Sequence, residues 1–207
     1  VFSMDGDIAP LPDIVRIAHK YEAMVMADEA HGTGVFGENG RGVVEHFNLS
    51  KKVSIVMGTL SKAVGSLGGY VSGDADLINF LRNKARPFMY TTALPPAVCA
   101  ASIAGIKLIR KNPSLRKSLW NNVRYLKKEL DLLNFNLIPS ESPIIPILIG
   151  DAKKAVDMSK LLYKKGILIP AIRPPTVPTR SSRLRMTVMS THTRKDLERL
   201  LEVLSDV

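Results

Sequence analysis

Apolar residues recur at Ile14, Ile17, Ala18 and Tyr21, the i, i+3, i+4, i+7 spacing of one helix face, directly after Pro10 and Pro12. Proline suits a helix start, where its missing N–H would have no intrahelical partner, so the pattern predicts an amphipathic helix ending near Glu22. Two short continuous apolar runs follow, at 23–27 and 53–57. The first ends in Asp28 and Glu29, the second in Gly58, Thr59 and, a little further on, Lys62. Runs of this length without alternation read as buried parallel strands. Open α/β sheets bind ligands just beyond the C-terminal ends of such strands, so Asp28 and Lys62 are expected to face one site.

A loop carrying Gly34, Gly37, Gly40 and Gly42 lies between the two runs and can approach a ligand or partner closely. Gly65, Gly68 and Gly69 lead into a third short strand at 70–72. Residues 77–86 read as helix, 91–96 as an extended loop, and the stretch to about Leu133 as helical with a break at Pro113. After Asn134 the texture changes. Apolar runs at 144–149, 167–172 and 184–189 alternate with helix-like stretches at 152–165 and 194–204, an α+β pattern. The domain boundary is therefore expected near residue 130, giving domains 1–130 and 131–207.

Composition narrows the class. With 45% hydrophobic and 23% charged residues in 207, the chain can bury a substantial core, and no apolar run approaches the roughly 18 residues of a membrane helix. One cysteine, Cys99, supports neither an internal disulfide nor a cysteine-rich metal site, which fits a reducing, cytoplasmic setting. The first residue is Val, followed at once by dense motif-like sequence, so an N-terminal part is expected to be absent and residues 1–207 alone to have little turnover. The net charge of +10 raises nucleic acid as a partner, but the basic residues are scattered without aromatic interleaving or finger spacing. They read as solvated faces, part of which could meet a polyphosphate such as a nucleotide-bearing thioester.

Among the candidate chemistries, Asp28-Glu29-Ala30-His31 has too few ligands at metal spacing, and no metal is expected. A dinucleotide site and a P-loop are set aside, as is Ser-His-Asp hydrolysis, which would need a G-x-S-x-G elbow. What remains is a carboxylate and a histidine at one strand end and a lysine beside Thr59 at the next. Each is ordinary alone: a solvated lysine, a turn aspartate, a loop histidine. Together they suit an amine that attacks a carbonyl and a carboxylate that pairs with a protonated pyridine nitrogen.

Four ordered segments carry a resemblance. Ser3-Met-Asp-Gly-Asp-Ile-Ala-Pro-Leu11, Asp28-Glu-Ala-His-Gly-Thr-Gly34, Gly58-Thr-Leu-Ser-Lys-Ala-Val-Gly65 and Arg183-Leu-Arg-Met-Thr-Val-Met-Ser-Thr-His192 resemble, in order and spacing, the α-oxoamine synthases, pyridoxal-phosphate enzymes that condense an amino acid with an acyl thioester. The resemblance implies a fold-type I (aspartate aminotransferase-like) α/β transferase: part of a large domain with a mostly parallel sheet, plus a small C-terminal α+β domain. It implies that Lys62 carries pyridoxal 5'-phosphate as a Schiff base and then acts as general base. Asp28 would pair with the ring nitrogen, His31 with the phenolic oxygen, Ser3 would support that side of the ring, and Thr59 would bind the phosphate. Thr92 would reach the phosphate of the other subunit, implying a homodimer. Arg185 would clamp the amino-acid carboxylate in preference to Arg183, and Thr176 would touch substrate. Within the family, Ala171-Ile-Arg-Pro-Pro-Thr-Val-Pro178 resembles the biotin-pathway branch, which joins L-alanine to a pimeloyl thioester carried by coenzyme A or a carrier protein. The sister branch that acetylates glycine is the rival.

Overall fold

The computed structural model describes residues 1–206 and divides into two compact units: Val1 with Ala9–Pro113, and Phe2–Ile8 with the chain from Ser114 onward. The first unit contains α1 (Leu11–Lys20), β1 (Met26–Asp28), α2 (Val43–His46), β2 (Ile55–Thr59), β3 (Gly69–Ser72), α3 (Ala75–Lys84), α4 (Arg86–Met89) and α5 (Pro96–Lys111). Its sheet has the order β1-β2-β3. The two apolar runs do pair in parallel, Met26 opposite Ile55, Ala27 opposite Val56 and Asp28 opposite Met57, while β3 returns antiparallel on β2.

Helix α1 forms where the spacing predicts, with Asp13 in its first turn and His19 and Lys20 in its last, each sign complementing the helix dipole. The stripe it buries is Leu11 and Val15, however, whereas Ile14, Ile17 and Tyr21 are exposed. Two apolar stripes adjoin on this helix, and periodicity alone does not choose between them. The strands also depart from expectation: β1 is not buried, with Met26 62% exposed, because no described element covers that face. Helix α3 starts at Asp74, whose carboxylate accepts from Leu77 N–H at 2.7 Å, and α5 starts behind Pro95 and Pro96. The buried apolar side chains of this unit are Leu11, Val15, Val25, Phe36, Val43, Val44, Leu49, Val53 and Val64.

The second unit contains α6 (Pro113–Leu132), β4 (Ile144–Gly150), α7 (Ala152–Lys164), β5 (Ala171–Ile172), β6 (Ser182–Thr187) and α8 (Arg194–Ser205), with the sheet order β4-β6-β5 and both pairings antiparallel. Helix α7 packs on all three strands. The chain divides at Pro113/Ser114, not near 130, since α6 is tied to later segments. It buries Leu119, Val123, Leu126 and Leu130 along one face, Asn122 donates to the Met189 and His192 carbonyls, and the Arg194 guanidinium lies 3.2 Å from the Tyr125 ring centroid. The run at 167–172 yields only the two-residue β5. Ile167 N–H is spent on the last turn of α7, donating to the Leu162 carbonyl at 2.9 Å, and Pro170 has no N–H to offer a ladder. Helix α8 opens with a capping box in which the Thr193 hydroxyl accepts from Asp196 N–H at 3.2 Å and the Asp196 carboxylate accepts from Thr193 N–H at 2.7 Å.

Leu184 in β6 is 0% exposed, so Leu184→Ala should cost about 2–5 kcal/mol in denaturant unfolding of the full-length protein through lost burial and the cavity left behind. Leu168→Ala, at a residue 79% exposed, should stay within about 0.5 kcal/mol of the parent.

Candidate active site

In the first unit the parallel register decides which groups leave the sheet together. Asp28 ends β1 opposite Met57, and the next residue extends the ladder, Glu29 N–H donating to the Met57 carbonyl at 2.7 Å. One Asp28 oxygen accepts from Ala30 N–H at 2.8 Å, Oδ2 has no hydrogen bond among the described residues, and the side chain is exposed. Gly32 and Thr33 N–H then donate to the Glu29 carbonyl at 3.0 and 2.8 Å, a turn that keeps the half-buried His31 close to the strand end. The Thr33 hydroxyl meets Tyr70 Oη at 2.7 Å, linking this turn to β3.

Lys62 sits in the turn after β2, closed by Leu60 N–H to the Gly68 carbonyl at 2.8 Å, Ser66 N–H to Leu60 at 2.8 Å and Gly65 N–H to Lys62 at 3.0 Å. The Thr59 hydroxyl braces this turn: it donates to the Gly68 carbonyl at 3.1 Å, accepts from Ser61 N–H at 3.1 Å and meets Ser61 Oγ at 2.7 Å. A role for Thr59 in positioning Lys62 was not read from the sequence. Lys62 is exposed, and Val64 is the buried residue of its turn. Thr92 is exposed in the loop between α4 and α5, and Thr176 is exposed in the turn that Thr176 N–H closes on the Arg173 carbonyl at 3.1 Å. The spacing G-x-G-x-x-G does occur at Gly32, Gly34 and Gly37, contrary to the sequence reading. It falls in consecutive turns that open no helix, so it presents no helix N-terminus to a pyrophosphate.

Glu29 was weighed only as a metal ligand; the structure gives it another task. It is 1% exposed, and its carboxylate accepts from Val43 N–H at 2.9 Å and Val44 N–H at 2.7 Å. Gly42 lies against that carboxylate with φ +111°, where a side chain would both clash and force a left-handed backbone. The glycine-rich loop is thereby fastened back to the end of β1. Burial raises the Glu29 pKa above its ordinary value of 4.5, against the lowering effect of the two backbone donors.

In the second unit Arg185 is half-buried on β6. Its Nε donates to the Ser3 carbonyl at 2.6 Å and its Nη1 to the Thr187 hydroxyl at 3.0 Å, while burial pushes its pKa below the ordinary value. Ser3 thus meets Arg185 through its backbone. Arg183 is 5% exposed and paired with Asp5, whereas Arg185 has no carboxylate partner among the described residues. Asp5 and Arg183 both stood in quoted motifs, but nothing in the sequence marked them as a pair. Chemically, the first unit offers an exposed amine and an open carboxylate oxygen at the ends of adjacent parallel strands, and the second a guanidinium with open N–H groups.

For Glu29 the linkage has a definite sign. A raised carboxylate pKa means that the folded protein binds the proton more tightly, so stability from this group is full below 4.5 and falls as pH rises through the folded value. Glu29→Gln, which cannot accept from both amides, should destabilise the full-length protein by about 1–3 kcal/mol. Its deficit should narrow as the pH rises above 4.5 in chemical denaturation at a series of pH values.

The family model described as aminotransferase class I and II matches residues 1–204. An 8-amino-7-oxononanoate synthase of Thermoanaerobacter pseudethanolicus is 46% identical over 207 residues, covering 100% of this chain and 52% of that protein. One from Bacillus velezensis is 49% identical over 204 residues, covering 99% and 52%. Among solved structures, a Sphingomonas wittichii serine palmitoyltransferase superposes with a TM-score of 0.96 at 35% identity, over 100% of this chain and 52% of that one. A Francisella tularensis 8-amino-7-oxononanoate synthase superposes with 0.86 at 30%, over 100% and 60%. The chain spans about half the length of the curated relatives it matches.

Proposed function

The chain belongs to the class I and II aminotransferase family, and from that premise we propose that the protein is a pyridoxal-phosphate-dependent acyltransferase, an 8-amino-7-oxononanoate synthase acting as a cytoplasmic homodimer. The overall reaction joins the α-carbon of L-alanine to the acyl carbon of a pimeloyl thioester of coenzyme A or a carrier protein. It takes up a proton and releases the thiol and carbon dioxide. The observation that carries this reading is the placement of Asp28 at the end of β1 and of Lys62 in the turn that follows β2, the two strands being parallel and in register. Relatives at 46% and 49% identity bearing the synthase name support the choice of branch over a glycine-acetylating or serine-acylating relative.

The donor set fits the cofactor. Lys62 is an exposed amine for its aldehyde, and the open Oδ2 of Asp28 suits a ring N–H. When bound, pyridoxal phosphate supplies a conjugated cationic ring that accepts the electron pair left at the amino acid's α-carbon. Asp28 keeps that ring nitrogen protonated by ion pairing, and His31 donates to or accepts from the phenolic oxygen. The Lys62 amine would hold the cofactor and would take up the α-proton at Nζ. Arg185 binds the substrate carboxylate through its planar fork. Ser3 would support the cofactor side, Thr59 would bind its phosphate while bracing the Lys62 turn, and Thr176 would contact substrate. Thr92 reaches the partner subunit's cofactor, a reading supported by the exposed apolar side chains Phe80, Phe88 and Tyr90 of the same unit.

The deciding experiment supplies the full-length protein with matched pairs: alanine and pimeloyl-CoA, glycine and acetyl-CoA, serine and palmitoyl-CoA. Turnover should be fastest with the first. Preference for either other pair would overturn the substrate assignment, and measurable turnover by Lys62→Ala at more than about a thousandth of the parent rate would overturn the mechanism.

A further inference from the structure

We propose that Asp5 is a positioning residue for carboxylate recognition: its ion pair with Arg183 pins the turn at residues 2–7 against β6 and so holds the Ser3 carbonyl on Arg185 Nε. The proposal rests on the reading in which Arg185 takes the amino-acid carboxylate.

The turn is a built object. Phe2 N–H donates to the Asp7 carbonyl at 2.9 Å and Gly6 N–H to the Phe2 carbonyl at 2.8 Å, closing the segment on itself. One side of it is docked on residues 140–144. The Gly6 carbonyl accepts from Glu141 N–H at 3.0 Å and from the Ser140 hydroxyl at 3.3 Å, and a side chain at Gly6 would stand 2.7 Å from the Ile144 carbonyl oxygen and from both serine hydroxyls. The other side meets β6. Arg183 and Arg185 are two residues apart and therefore share a face of the strand, about 7 Å apart along it. Asp5 binds the nearly buried Arg183, whose Nε also donates to the Ser181 carbonyl at 3.0 Å. The Ser3 carbonyl binds Arg185.

Two consequences follow for an incoming carboxylate. First, Asp5 neutralises Arg183, while Arg185 has no carboxylate partner among the described residues and keeps its charge for a ligand. Second, a guanidinium can grip a carboxylate along its Nε–Nη edge or along its Nη1–Nη2 edge. With Nε given to Ser3 and one Nη1 N–H given to the Thr187 hydroxyl, a carboxylate is left the second Nη1 N–H and the Nη2 group. Fixing the plane and the edge beforehand removes rotamer freedom that binding would otherwise have to freeze, and fixes where the α-carbon comes to lie. A turn released from Arg183 would let Arg185 swing.

The test uses the full-length protein loaded with its cofactor and three variants: Asp5→Asn, Asp5→Asn/Arg183→Gln and Arg185→Lys. Binding of L-alanine without thioester is read from the change in the cofactor's visible absorption, and KM for each substrate from steady-state rates. Asp5→Asn should raise the alanine Kd and KM about tenfold while leaving kcat and the thioester KM within about twofold. The double variant, which leaves no charge unpaired and so guards against simple misfolding, should bind alanine as weakly. Parent-like alanine affinity in the folded double variant, with Arg185→Lys weakened, would overturn the positioning role and leave the function intact. Unchanged alanine affinity in Arg185→Lys would overturn the reading of Arg185, and the proposal with it.

Discussion

The first unit depends on one constraint, the parallel register of β1 and β2. Because Asp28 stands opposite Met57, and because Glu29 N–H carries the ladder one residue further, the carboxylate leaves the sheet at the level where β2 is about to turn. Shifting the pairing by one residue would send every side chain of the strand to the other face. The Lys62 turn inherits its position from this arrangement. It begins at Thr59, folds back through Gly68 onto β3, and is held by the Thr59 hydroxyl as well as by backbone bonds. Asp28 and Lys62 are exposed, while Glu29, which fastens the loop after β1, is buried and Thr59, which braces the turn after β2, is half-buried.

Glu29 shows how much sits underneath. A buried carboxylate is costly unless its charge is met by donors, and here two backbone N–H groups at the start of α2 meet it. The cost is tolerated because the same contact fastens the loop through 34–42 to the strand end that carries Asp28 and His31. The second unit repeats the pattern with opposite sign: Arg183 is nearly buried and met by Asp5, beside an Arg185 that keeps its charge available.

Much of this was legible beforehand. The i, i+3, i+4, i+7 spacing placed α1, the breaks at Pro95, Pro96 and Pro113 bounded α5 and α6, and the short apolar runs paired as parallel strands. The resemblance carried by four motifs to pyridoxal-phosphate synthases is borne out by the family match and by relatives over the whole chain. What stayed hidden depends on contacts between residues distant in sequence. Which stripe of α1 is covered, whether β1 is buried, and which unit owns α6 are decided by packing partners, and local periodicity carries no information about them. Asp5 and Arg183 are 178 positions apart, and the Ser3 carbonyl that holds Arg185 belongs to the backbone, where side-chain identity leaves no trace. Glu29 was read for what a carboxylate can bind outside the protein, when its partners are the protein's own amides.

The central claim is that Lys62, in the turn that follows β2, is the amine that holds the cofactor. The most direct measurement is mass spectrometry of the full-length protein after incubation with pyridoxal phosphate, borohydride reduction and digestion. The account predicts the phosphopyridoxyl mass on the peptide containing Lys62 and its loss in Lys62→Ala. Labelling spread over the other lysines, or undiminished in that variant, would contradict it.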